Sequence, residues 1–312
     1  VALSYYHKLA GVACQRAPAP PAAILGHRVL TCHAPEPAMN IAVKAPADIK
    51  VRHMDFAFDD DIPEFWYAND PFRTLLLTGL SGTFPAGERF FVDSVRHFQE
   101  QVRDPALRAA IRGFIGQEAH HSKEHLVLNA FMERKGYPVS RIEQFSERGL
   151  KWLRKRLSPQ RQLAMTCALE HFTAILADQL LANRAEFIDK MDPRVAKLWA
   201  WHAIEETEHK AVAFDVFRAT VDDEWVRRSQ MAVQTVEFMF FVNLHMMQLM
   251  LESGRMTDVR MWAGAVNFLV GKPGVLRQLL PAYLDYYRRD FHPWQHDNRA
   301  LVGAVKQEFG IE

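Results

Sequence analysis

The chain of 312 residues is short of the features that mark several large protein classes. It has three cysteines, Cys14, Cys32 and Cys167, an odd number without a Cys-x-x-Cys step, which argues against a disulfide framework and against a thiolate zinc site. Charge of one sign is missing too. With 38 Lys and Arg against 37 Asp and Glu the net charge is +1, and no basic cluster is interleaved with aromatics, so nucleic acid is not an expected partner. No Gly-x-Ser-x-Gly elbow, Ser-His-Asp arrangement or phosphate-cradling glycine loop is present. A basic stretch followed by an uninterrupted apolar run is also lacking, so no signal peptide is expected and a reducing cytoplasm is the expected location.

What the chain does have is apolar content: at 49% hydrophobic and 24% charged it can bury a large core. Residues 1–38 differ from the rest. This stretch, with CQRAPAPPAAILGHRVLTCHAPEPA at its centre, is Pro/Ala-rich and aperiodic, so a disordered or non-native arm is expected, Met39 opening what reads as a natural start. Residues 39–312 are expected to form a single helical domain. Near its beginning, residues 50–58 alternate enough for a short strand, and DDDIPEFW reads as a turn followed by a brief helix. Asp59, Asp60 and Asp61 are consecutive and do not converge on one point, so they read as a solvated turn.

The most informative segment is WHAIEETEHKAVAFDVF, residues 201–217. It lacks Gly and Pro, and its apolar residues are spaced as on a largely buried helix running from Trp199 to Phe217. Positions three and four apart share a face, so His202, Glu206 and His209 line up while Glu208 points elsewhere. Glu205 can replace Glu206 if the helix is rotated. A carboxylate and an imidazole one turn apart can reach one cation, and iron, manganese or zinc accepts that mixture. A lone Glu-x-x-His is common on solvated helix faces, but this one has a counterpart. IRGFIGQEAHHSKEHLVLNAFMERKGYP carries Glu118 and His121 at the same spacing, with His125 on the same stripe. Each motif is preceded by a lone Glu in an apolar helical stretch: Glu88 in FPAGERFFVDSVRHFQEQV, whose Pro-Ala-Gly reads as a helix start, and Glu170 in RQLAMTCALEHFTAILADQLLAN. The separations, 30 residues to Glu118 and 36 to Glu206, suit an up-and-down helix pair. Cys167, in the second of these stretches, reads as a small buried hydrophobe.

The set Glu88, Glu118-x-x-His121, Glu170, Glu206-x-x-His209 resembles the ferritin-like di-iron carboxylate superfamily over residues 85–217. More narrowly, LSGTFPAGERFFVDSVR, EAHHSKEH, LEHFTAILAD, WHAIEETEHKAVAFDV and FHPW resemble a bacterial family labelled predicted metal-dependent hydrolase, from residue 50 to the C-terminus. The resemblance implies an all-α fold, a ferritin-like four-helix bundle with a dinuclear metal site plus extra C-terminal helices over residues 224–290. It implies two metal ions, iron first, with manganese or zinc as alternatives. Glu88, Glu118 and His121 would serve one ion and Glu170, Glu206 and His209 the other, the Glu118 and Glu206 carboxylates bridging. His202, His125 and Glu205 are candidates for an extra ligand or for outer positions that orient the ligands.

The function implied is dioxygen-dependent oxidation of a hydrophobic small molecule by a di-iron oxidoreductase, with an electron-donor protein as partner. Metal-dependent hydrolysis through a metal-bridged water is the alternative, and iron storage a second one. QMAVQTVEFMFFVNLHMMQLMLESG is an apolar helix interrupted by Glu237, Asn243 and His245, so it reads as packing on the bundle, with peripheral membrane contact as an alternative. Phe91, Phe240 and Phe241 are the expected substrate-pocket walls, and Glu237 and His245, two turns apart and too distant to chelate one ion, are either groups that support the ligands from behind or polar groups lining the pocket. His292 and His296 read as structural or cap-forming residues.

Overall fold

Four of the helices start on a capping residue followed by proline, three on Asp-Pro and one on Ser-Pro. In the computed structural model, which describes residues 49–311, Asp70-Pro71 opens α1 (Pro71–Phe98), Asp104-Pro105 opens α2 (Pro105–Arg134), Ser158-Pro159 opens α4 (Pro159–Ala182) and Asp192-Pro193 opens α5 (Pro193–His209). In each the first side chain accepts a hydrogen bond from a first-turn N–H, and the proline occupies a position whose N–H has no helical partner anyway. These are the four helices that carry the candidate ligands. Helix α3 (Val139–Arg154) lies between the two pairs, and α6 (Val212–Thr220), α7 (Glu224–Glu252), α8 (Val259–Val270), α9 (Val275–Asp285) and α10 (Arg299–Phe309) follow.

Two apolar clusters set the directions of these helices. One contains Leu75 and Leu80 of α1, Leu128 and Phe131 of α2, Leu180 of α4 and Trp201 and Ile204 of α5. The other contains Phe90 and Val95 of α1, Ile111 and Phe114 of α2, Leu163 and Cys167 of α4, and Val212 and Phe217 of α6. Helices α1 and α5 therefore run from the first cluster towards the second, and α2 and α4 run the opposite way. Helix α3 carries the chain back between them, with Val139 and Ile142 in the first cluster and Leu150 and Leu153 against the second. On every one of the four helices the candidate ligands fall between the two clusters. The polar layer is thus enclosed by oil at both ends.

Several expectations change. Among the described residues there is no strand, only an isolated bridge between Tyr67 and Met191. Residues 49–58 have no partner strand; they cross α2 where Gly113 and Gly116 leave room, since a Cβ at either position would collide with Ile49 or Val51. Glu124 then takes up the N–H groups of Asp55 and Phe56 at 3.2 and 2.9 Å, the role a neighbouring strand would have played. The stretch after the aspartates stays in turns and forms no helix. Pro85 does not start a helix but lies inside α1, which begins fourteen residues earlier. Having no N–H, it leaves the Ser81 carbonyl without its helical donor, and Asn129 Nδ2 donates to that oxygen instead, at 3.2 Å. The segment from Trp199 to Phe217 is two helices, broken at Lys210 and Ala211. The additional helices extend past residue 290 to include α10. No helix among the described residues is long and apolar enough to cross a membrane, and the arm expected at residues 1–38 lies outside the described residues.

Candidate metal centre

The six ligands expected from spacing converge. Glu88, Glu118, His121, Glu170, Glu206 and His209 are all buried. His209 Nε2 lies 3.2 Å from Glu118, 3.4 Å from Glu170 and 3.6 Å from Glu206, and His121 Nδ1 lies 3.4 Å from Glu206 and 4.0 Å from Glu118. Three overlapping trios have ligand atoms within 4.8 Å of one another: Glu88, His121 and His202; Glu118, Glu170 and His209; Glu118, His121 and Glu206. Glu118 belongs to two of the trios, one with Glu170 and His209 and one with His121 and Glu206. Glu118 and Glu206 each stand between the two motif histidines, which is where a bridging carboxylate belongs.

Eight side-chain atoms of these residues are buried with no hydrogen-bond partner: Oε1 of Glu88, both oxygens of Glu118 and of Glu170, Oε2 of Glu206, Nδ1 of His121 and Nε2 of His209. Buried polar atoms are seldom left so, and a concentration of them in one place is what a cation site looks like without its cation. The electrostatics agree. Burial pushes Glu88 up to about 8, and burial followed by mutual carboxylate repulsion pushes Glu118 and Glu170 well above the usual carboxylate range. Burial alone would raise Glu206, but the imidazoles beside it, His209 first and then His121 and His202, hold it well below. The donor set is carboxylate and imidazole with no thiolate, and it fits iron, manganese or zinc.

Residues 50–297 match the profile of a family described as predicted metal-dependent hydrolase. The chain belongs to that family. No curated protein and no solved structure matches it. Metal dependence is thus the point on which the family description and the buried Glu/His cluster of this metal-dependent hydrolase family member agree.

The surroundings of the cluster show how this family member orients its histidines. Glu205 is not turned towards the ligand atoms; it accepts from His121 Nε2 at 3.1 Å, leaving Nδ1 to face Glu118 and Glu206. Burial alone would lower His121, but its hydrogen bond to Glu205 and the carboxylates of Glu205 and Glu206 beside it push it up to about 10. Gln117 Oε1 accepts from His209 Nδ1 at 2.9 Å and so directs Nε2 inward. Both arrangements meet at one cation: Arg52 donates to Glu205 at 3.0 Å and to both oxygens of Glu208 at 2.8 and 2.9 Å, while Gln117 Nε2 also donates to Glu208, at 2.8 Å. Lys306 of α10 closes the group on Glu208. Ser122 donates to Glu88 Oε2 at 2.8 Å. Arg52, Gln117, Ser122, Glu208 and Lys306 were not singled out as functional in the sequence. Gln117 and Ser122 are adjacent to motif residues, which is a usable signal; Arg52, 153 positions from Glu205, offers none.

His202 stands with the ligands and His125 behind it. His202 Nε2 lies 3.3 Å from Glu206, and its Nδ1 lies 2.8 Å from His125 Nε2. A chain of fixed polarity leads outward from there. The Glu143 carboxylate can only accept, so Asn129 presents its amide nitrogen to Glu143 at 2.7 Å and its oxygen to Ser81. Ser81 Oγ donates to that oxygen at 2.6 Å and therefore accepts from His125 Nδ1 at 2.9 Å. His125 Nε2 is left as an acceptor for His202 Nδ1, and the lone pair of His202 Nε2 faces the cluster. Burial, followed by the charge of His121, lowers His202 to about 4, and burial with His202 and His121 beside it holds His125 well below its ordinary value, so both are neutral.

A cavity of about 290 Å³ between α1, α3, α4 and α7 reaches this centre at Glu88. Phe91, Leu169, Phe238 and Phe241 wall it, and Glu237 and His245 line it as expected. Phe240 does not: it packs edge-on against Phe241 at 5.2 Å and is 61% exposed on the outer side of α7. His292 caps the turn before Trp294 and contacts Asp215 at 2.8 Å, while His296 contacts Asp285 at 3.2 Å, both away from the centre.

Proposed function

We propose that this chain is a metal-dependent enzyme that acts at a buried dinuclear centre on a largely apolar small molecule held beside Glu88. The carrying observation is the set of eight orphaned ligand atoms gathered where an apolar cavity ends. Seven residues, Glu88, Glu118, His121, Glu170, His202, Glu206 and His209, would hold the metal. Four carboxylates among them offset two divalent cations, which is how such a site tolerates burial. The ferritin-like reading is supported by two antiparallel helix pairs joined through the crossover α3.

The hydrolytic reading has the support of the family description. When bound, the metal pair would supply an activated water and polarise a substrate carbonyl. The protein's own contribution is to orient and to exclude water. Ser122 ties one Glu88 oxygen and leaves the other free at the cavity end. Phe91 and Phe241 seat the apolar part of the substrate, and His202 keeps its proton on Nδ1, away from the reacting side.

One observation favours a second reading, oxidation with dioxygen by a di-iron centre served by an electron-donor protein. Among the described residues the cavity wall is largely aromatic and aliphatic, with Phe91, Leu169, Phe238 and Phe241 nearest in character to a hydrocarbon, which suits a substrate that offers a C–H bond. Metal analysis of anaerobically purified protein, followed by exposure to dioxygen and by assay on apolar esters and amides, separates the readings. About two ions per chain with ester or amide turnover independent of dioxygen supports hydrolysis. Two irons with dioxygen consumption supports oxidation, and absence of bound metal overturns both.

A further inference from the structure

The outer face of α7, α8 and α9 is built the wrong way round for a surface in water. Along α7 the solvent-facing stripe reads Ser229, Ala232, Val233, Val236, Met239, Phe240, Asn243, and no exposed charge occurs from residue 229 to residue 251. On α8 the outward ridge is Val259, Ala263, Val266 and Val270, and on α9 it is Leu276, Leu280 and Leu284. Val236 is 71% exposed and Val259 78%. Helix surfaces facing water normally carry charges at these spacings, and an apolar area spread over three helices marks an interaction site.

Two further observations say what covers it. First, a second cavity, of about 360 Å³ and almost wholly apolar, lies under this face; Met239, Leu276 and Leu280 line it and are themselves exposed, so its rim belongs to the face. It shares Phe238 and Val242 with the cavity that ends at Glu88. Second, from Glu252 at the end of α7 to Asp285 at the end of α9 the exposed charges are Arg255, Arg260, Lys272 and Arg277 against Glu252, the acids Asp258, which caps α8, and Asp285 being half-buried. Apolar ridges flanked by an excess of basic side chains match an anionic lipid surface. A second copy of the chain fits less well, because a two-fold contact over this face would gather the basic side chains of both copies into one interface.

We infer that the α7–α9 face docks peripherally on an anionic bilayer, with the rim of the second cavity pressed into the acyl region so that a lipid-derived apolar chain enters there. Docking requires neither the metal nor either reading of the chemistry. Flotation of the full-length, metal-loaded protein with phosphatidylcholine vesicles, with and without phosphatidylglycerol, tests it. Binding to the phosphatidylglycerol vesicles, weakened at least about ten-fold by K272E together with R277E, is expected. V236D together with F240S, both fully outward changes that leave the metal content intact, should abolish it. Three results would overturn the inference: no vesicle binding by a monomeric protein, binding indifferent to both pairs of substitutions, or a stable dimer that V236D dissociates.

Discussion

His125 Nε2 and His202 Nδ1 lie 2.8 Å apart, and the polarity of that contact is decided some distance away, at Glu143. Through Asn129 and Ser81 an acceptor-only carboxylate dictates which nitrogen of His202 keeps its proton. Ser81→Ala should release this constraint and weaken the more loosely held ion by about 10- to 100-fold, the usual effect of losing a group that orients a ligand. His202→Ala should do at least as much, and the double variant no more than His202→Ala alone, because both act through the same nitrogen. Metal retained after dialysis against a graded chelator reports all three; additive losses would separate Ser81 from His202.

Arg52 holds Glu205 and Glu208 together at the back of both motif histidines. Arg52→Ala leaves Glu205, fully buried, without its cation, and removing one partner of a buried pair costs about 3–5 kcal/mol. Denaturant unfolding should show that loss. Arg52→Met with Glu205→Gln should recover a large part of it, and equal stability of Arg52→Ala and the parent would mean that this buried pair contributes nothing net to the fold.

The clustering of the Glu and His side chains was legible in sequence because helix geometry is local. Glu118 and His121 point the same way whatever surrounds them, and two such motifs at matched intervals from Glu88 and Glu170 leave few other folds. The orientation of those ligands was not legible. Arg52 reaches Glu205 only because two glycines of α2 let a strand-like segment cross it, and nothing near Arg52 in the chain announces that. Pro85 reads as a helix start because proline favours a first helical turn, but it is tolerated inside α1 where Asn129 takes over the carbonyl it frees. The three Asp-Pro steps and the one Ser-Pro step, by contrast, are local signals that mark the starts of all four site helices.

Phe240 and Phe241 are neighbours with opposite surroundings, one exposed outside α7 and the other on the wall of the cavity beside Glu88. Phe241→Ala should therefore weaken binding of an apolar ligand by ten-fold or more, from a loss of about 1.5–3 kcal/mol of apolar contact. Phe240→Ala should leave that affinity unchanged. Displacement of a fluorescent apolar probe from the cavity measures both, and equal effects would place the ligand elsewhere.

Loading of the centre should be strongly dependent on pH. Glu88, raised to about 8 by burial, and Glu118 and Glu170, raised further, hold protons in the metal-free folded protein that the unfolded chain has released. For these groups the folded protein binds more protons than the unfolded one. Their contribution to metal-free stability is therefore lost as pH rises from the ordinary carboxylate value of 4.5 towards 8 and above. A cation takes the place of those protons, and His121 also gives one up from a value of about 10. Proton release on metal addition, read with a pH indicator in weak buffer, should exceed one per chain near neutral pH, and the rise in Tm on loading should be larger at about pH 8 than at about pH 5.5. A metal affinity flat across that range would show that the carboxylates are already ionised before the cation arrives, and would require a fixed positive group at the centre that the present ligand set does not contain.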